Sequence, residues 1–107
     1  MNNSLAFHHI GILYHPKLAE SRVMAAEILE FIEHLGALAS VSSSWDEEQI
    51  KERLQNLDLL ITLGGDGSML RAARLAASRA IPILGINMGR LGFLAEVQPA
   101  EWRERIE

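Results

Sequence analysis

Leu57-Asp58-Leu59-Leu60-Ile61-Thr62-Leu63-Gly64-Gly65-Asp66-Gly67-Ser68-Met69-Leu70-Arg71 is the stretch on which the rest of the sequence turns. Leu57 to Leu63 is nearly all apolar, the pattern of a strand covered on both faces. Gly64-Gly65-Asp66-Gly67 breaks it. From Ser68 to Arg79 the alanines, with Met69, Leu70 and Leu75, describe a helix.

The same alternation continues outward. Upstream, Trp45 to Gln55 reads as a polar helix whose Asp46, Glu47 and Glu48 suit the positive end of the helix dipole. A Ser42-Ser43-Ser44 turn precedes it, and Ala37 to Val41 makes a short strand. Before that, Met24, Ile28, Phe31, Ile32 and Leu35 recur at helical intervals, with Glu20, Glu27, Glu30 and Glu33 on the other face and Gly36 as the stop. Phe7 to Tyr14, ended by Pro16, is the first strand. Downstream, Ile81 to Ile86 is a fourth strand, and Asn87-Met88-Gly89-Arg90-Leu91-Gly92-Phe93-Leu94 reads as a shaped loop because two glycines punctuate it. Strands alternating with helices predict the α/β class: a doubly wound, Rossmann-like parallel sheet with flanking helices and right-handed crossovers. Residues 1–107 form one domain with no repeat or linker. Its last element begins at Pro99, and Trp102 to Glu107 carries no capping signal, so the pattern stops within an element and a longer protein is expected.

Composition narrows the function. A chain of 107 residues can bury a core without staples, and it has no cysteine, which removes disulfide frameworks, thiolate zinc sites and cysteine nucleophiles. Met1-Asn2-Asn3-Ser4 lacks the basic region of a secretory signal and no segment is long enough to span a bilayer, so the cytoplasm is the expected compartment, with no membrane partner. A net charge of −4 argues against a general nucleic-acid binder. The charge is unevenly placed, however. From Glu20 to Asp58 acids outnumber bases nine to three, whereas Gly67 to Ala95 holds Arg71, Arg74, Arg79 and Arg90 and no acid. A small phosphorylated ligand beside the glycine turn would benefit from that field, although for any one of these arginines a solvated place on a helix or loop surface is the better reading.

In an open parallel sheet, ligands settle outside the carboxyl ends of the strands, where this turn lies. Glycines leave the backbone bare on both sides of one carboxylate, so a ligand can approach and main-chain N–H groups can face phosphate oxygens, with the dipole of the next helix behind them. Neither G-x-G-x-x-G nor G-x-x-x-x-G-K-[ST] is present. Asp66 has a plain structural alternative as the cap of a helix starting near Ser68. Capping does not demand a glycine on each side, and a phosphate cradle does.

Gly64-Gly65-Asp66-Gly67-Ser68-Met69-Leu70 resembles the G-G-D-G motif shared by NAD kinases, 6-phosphofructokinases and the diacylglycerol and sphingosine lipid kinases. Gly85-Ile86-Asn87-Met88-Gly89-Arg90-Leu91-Gly92-Phe93-Leu94 resembles the G-I-N-x-G-x-L-G-F-L signature of NAD kinases, and the spacing of the two motifs is similar as well. The resemblance implies transfer of the γ-phosphoryl group of ATP, or of polyphosphate, to the 2′-hydroxyl of the adenosine ribose of NAD, giving NADP. It implies Asp66 as proton acceptor, Gly64, Gly65 and Gly67 around the nucleotide, Arg71 as a basic NAD contact, Asn87 in the pocket-forming loop and Phe93 near the adenine. It also implies a divalent cation such as Mg²⁺ arriving with ATP, no metal ligands in this chain, and a homo-oligomer, dimer or tetramer, for the intact enzyme. Ser68 stands where threonine is commoner. The family's Asn-Glu or Asn-Asp motif and its β-rich second domain are expected beyond Glu107, which would leave the fragment alone inactive. The rival readings are a nucleotide-sensing module without catalysis and a sugar-phosphate or lipid kinase of the same superfamily.

The remaining polar and aromatic residues take structural readings. His8 and His9 lie in a strand and His15 in the turn after it, without a metal partner at helical spacing. His34 ends a helix and favours its dipole. Trp45 and Trp102 read as packing or interface residues, and Ser68 lacks the paired histidine of a nucleophile.

Overall fold

The computed structural model describes residues 7–88. Their elements are β1 (His9–Tyr14), α1 (Ala19–His34), β2 (Leu38–Ser43), α2 (Glu47–Leu54), β3 (Leu59–Gly64), α3 (Asp66–Ala76), a 3-10 turn (Ala77–Arg79) and β4 (Ile83–Asn87). The strands pair in parallel in the order β2-β1-β3-β4. The chain winds from β1 outward to β2, returns across β1 to β3, and goes on to β4. Its direction therefore reverses between β1 and β3. This is the doubly wound arrangement expected from the alternation of elements.

Strand β3 is buried at every residue, as its unbroken apolar run requires. Its alternating side chains feed two cores. Leu59, Ile61 and Leu63 join Ile10, Ile12, Ile28, Ile32 and Ile86 under α1. Leu60 joins Leu13, Ile50, Leu54, Ala72 and Ala76 under α2 and α3. The alanines of α3 let that helix lie close to the sheet, and Gly36, at φ +96°, turns the chain out of α1 where a Cβ would be strained.

Several boundaries differ from the sequence reading, each for a tertiary reason. Strand β3 starts at Leu59 and not Leu57, because the Asp58 carboxylate accepts the backbone N–H groups of His8 (2.8 Å) and His9 (3.0 Å). Leu57 turns back to cover Gly11, where a Cβ would lie 2.6 Å from its Cδ1. Strand β1 starts at His9, not Phe7. Strand β2 runs two residues past Val41. Ser42 and Ser43 pair with Leu13 and Tyr14, and the Arg53 guanidinium donates to the Val41 carbonyl (3.0 Å) and the Ser42 hydroxyl (2.8 Å). The serine turn thus shrinks to Ser44 and Trp45. Helix α2 starts at Glu47, two residues later than expected, with Asp46 as its cap accepting from the Gln49 N–H at 3.1 Å. Strand β4 starts at Ile83, since Pro82 has no N–H to give to a ladder.

No helix of the described residues is long and apolar enough to cross a membrane. Replacing Ile61, fully buried in the central strand, should show how much of the domain depends on β3. Ile61→Ala is expected to cost about 2–5 kcal/mol, read as a markedly lower melting temperature.

Candidate functional site

The reversal of winding between β1 and β3 opens a crevice at their carboxyl ends, the place where open α/β sheets bind ligands. One wall is the end of β3. Gly64 is its last residue, at φ +154°, and pairs in register with Asn87 at the end of β4. The Gly64 carbonyl accepts the Met88 N–H at 2.9 Å. A Cβ on Gly64 would collide with the Ser68 side chain, whose Cβ lies 2.9 Å from that position, so Gly64 and Ser68 fill one space between them. Here glycine is required by the protein's own backbone and packing.

Gly65 and Gly67 are different. Gly65 has an extended φ of −115° and Gly67 lies in the helix, so neither needs glycine for its conformation. A Cβ on either would meet nothing within 4 Å among the described residues. Two glycines without an internal reason, flanking one carboxylate at the mouth of a switch-point crevice, leave room for a ligand to lie on the backbone.

Helix α3 begins at Asp66, two residues before the expected start, and Gly65 holds the N-cap position. The capping place therefore belongs to a residue with no side chain. Asp66 is a half-buried first-turn residue, set in the positive field of the helix N-terminus. Asn87 is 2% exposed at the end of β4, across from Gly64. The structure thus gathers Gly64, Gly65, Asp66, Gly67 and Asn87 at one edge. Phe93, the last of the residues picked from the sequence, and Arg90 lie outside the described residues, as do residues 89–94 of the loop expected from Asn87 to Leu94, whose first residue ends β4.

Arg71 sits one turn further along α3, and its guanidinium meets the Glu47 carboxylate at 3.2 Å, both side chains nearly half exposed. Such a pair is worth about 0–1 kcal/mol in solvent, so it offers little resistance to a competing anion. With Lys51, Arg74 and Arg79 it lines a groove of about 400 Å³ between α2 and α3. Arg71, Arg74 and Arg79 therefore gather along the α2–α3 seam. No group of three His, Cys, Asp or Glu side chains among the described residues could hold a metal ion.

The other wall of the crevice was not picked out by the sequence reading. His15 follows β1 directly, and its Cδ2 lies 3.6 Å from the position of a Cβ on Gly64. Its ring is 5.7 Å from that of Trp45, tilted by 60°. The Lys17 ammonium lies 5.7 Å from the centre of the Trp45 ring. The signal that could have found His15 is its position, immediately after the strand beside β3, which becomes informative only with the strand order.

Residues 6–107 match the family model described as the ATP-NAD kinase N-terminal domain. An NAD kinase of Dehalococcoides mccartyi is 34% identical over 95 residues, covering 89% of this chain and 34% of the relative. An NAD kinase of Gemmatimonas aurantiaca is 39% identical over 102 residues, covering 92% and 34%. One of Bacteroides fragilis reaches 60% identity over 50 residues, covering 47% and 17%. The chain spans about a third of the length of the first two.

Gly67→Ala separates packing from ligand space. Removing a helical glycine should raise the stability of α3 by up to about 1 kcal/mol, while the new methyl group obstructs the turn. The expected outcome is an unchanged or higher melting temperature with nucleotide affinity reduced at least severalfold in calorimetry. Unimpaired affinity would mean that no ligand lies on this turn.

Proposed function

Because the chain belongs to the ATP-NAD kinase family through its N-terminal domain, we propose that the protein phosphorylates the 2′-hydroxyl of the adenosine ribose of NAD to give NADP. ATP is the proposed donor, with polyphosphate as the alternative. The observation that carries this reading is the Gly65-Asp66-Gly67 turn: a carboxylate at the switch-point crevice between two glycines that the described protein does not need for itself.

In the proposed reaction the ribose O2′ attacks the terminal phosphorus, the new O2′–P bond forms and the bond from that phosphorus to the bridging oxygen breaks. ADP carries away the bonding pair. The proton of the hydroxyl passes to the Asp66 carboxylate, a transfer that typically contributes about 10² to 10⁴ in rate. Phosphoryl transfer asks the protein mainly for positioning and charge neutralisation. The bare backbone at Gly65 and Gly67, the N-terminus of α3 and the nearby Arg71 suit that demand. Asn87 is proposed to shape the pocket from β4 and Phe93 to pack against the adenine. The described residues do not fit a resident cation; a divalent ion is proposed to enter with ATP as part of that substrate. The remainder of the dinucleotide site, and the contacts of a homo-oligomer, are proposed to come from a further β-rich domain, since this chain spans about a third of its relatives. The chain alone is then expected to form no NADP.

Asp66→Asn tests the base directly in the complete protein. It preserves size and hydrogen-bonding capacity and removes the ability to take the proton. The expected result is a fall in kcat of at least ~100-fold with the melting temperature near wild type. Intact turnover would remove Asp66 from the chemistry and favour the sensing module, whereas a rise in KM alone would make it a substrate contact. Arg71→Ala is expected to raise the KM for NAD severalfold while changing stability by less than about 0.5 kcal/mol, as befits an exposed side chain.

A further inference from the structure

The backbone of His15 is held with unusual firmness for a residue in a connection. Its N–H donates to the Ser21 hydroxyl at 2.9 Å, and its carbonyl accepts the Leu18 N–H at 2.9 Å. Ser21, fully buried, shares its own proton between the His15 carbonyl at 3.0 Å and the Leu18 carbonyl at 2.8 Å. The side chain is held as well. The Lys17 backbone N–H donates to His15 Nδ1 at 3.1 Å. A nitrogen that accepts an N–H offers its lone pair, which leaves Nε2 as the donor of the ring. Trp45 flanks the ring and limits its rotation. Within the ring Nε2 is bonded to Cδ2, the atom that faces Gly64. The edge that carries the N–H is therefore the one turned to the glycine turn, and no described residue accepts from Nε2.

From this geometry we infer that His15 is a ligand-binding residue of the site, its Nε2–H donating to a phosphoryl oxygen of the nucleotide lying over Gly64–Gly67. It follows β1 as Asp66 follows the end of β3, and with its Nδ1 lone pair engaged by the Lys17 N–H it meets an anionic oxygen as a donor without competing for the ribose proton. A fixed donor loses little freedom on binding, which is how preorganised groups contribute most. The inference rests on the proposed function only in requiring a phosphorylated ligand at this turn. That oxygen belongs either to the triphosphate of ATP or to the pyrophosphate of NAD, and the two are told apart by which affinity responds.

The test uses the complete protein with imidazole nitrogens labelled with ¹⁵N. Free wild-type protein should show His15 protonated at Nε2 and not at Nδ1, and saturation with ATP or with NAD should shift the Nε2–H resonance. His15→Phe, which keeps a ring against Trp45 and removes the donor, should weaken one of the two nucleotides about tenfold or more in calorimetry, the scale of a hydrogen bond to a charged group. His15→Gln, which restores an N–H donor, should recover affinity to within about threefold. An Nδ1–H tautomer, or a resonance unmoved by both nucleotides, overturns the inference without any variant having to fold. Unchanged affinity for both nucleotides in His15→Phe also overturns it, and a lower melting temperature beside that result assigns His15 to packing. These readouts need no turnover. A protein that binds ATP or NAD through His15 yet forms no NADP would end the kinase reading alone, and one that makes NADP with His15 unperturbed would end this inference alone.

Discussion

Strand β3 has two obligations that conflict. Along its length every residue is buried, with side chains alternating into two separate cores, and such a strand must be apolar and fully paired. At its carboxyl end the chain must at once leave the sheet and start α3 at Asp66. Gly64 resolves the conflict. It is still paired with β4 through Asn87, yet its positive φ sends the chain sharply into α3, and the space where its side chain would stand is taken by Ser68. Two placements follow from that one bend: Gly65 at the N-cap position and Asp66 as the first helical residue.

The topology multiplies the effect. Parallel strands direct all their carboxyl ends to one edge, and the reversal of order between β1 and β3 keeps the connections leaving those two strands from covering each other. At the opposite edge the sheet is closed tightly, with Asp58 bracing the start of β3 against the start of β1 through two backbone N–H groups. One edge is stitched and the other is left accessible.

What could be read from the sequence was whatever a short window determines. The apolar run of β3, the helical spacing of Ile28, Phe31, Ile32 and Leu35, and the stop at Gly36 all appear in the structure, because burial period and glycine conformation are local properties. The glycine turn was legible for the same reason. What could not be read was set by partners distant in the chain. Ser42 and Ser43 have little strand preference of their own and are extended because β1 lies beside them and Arg53 reaches back to them. The start of α3 was missed because Asp66 and Gly67 are poor helix formers. His15 looked like an ordinary turn residue, since only the strand order puts it next to Gly64.

Asp66 and His15 are placed by different means. Asp66 is placed by backbone geometry, and the glycines around it show in sequence because they are costly anywhere else. His15 is placed by a web of hydrogen bonds through Ser21, Leu18 and Lys17, none of them unusual residues in a loop before a helix. A site built by both means shows only its glycine half in the sequence. The half held by the hydrogen bonds of the β1–α1 connection becomes visible once the two strands are known to be neighbours, and it is through that connection that a phosphorylated ligand on the turn would be held from the side opposite Asp66.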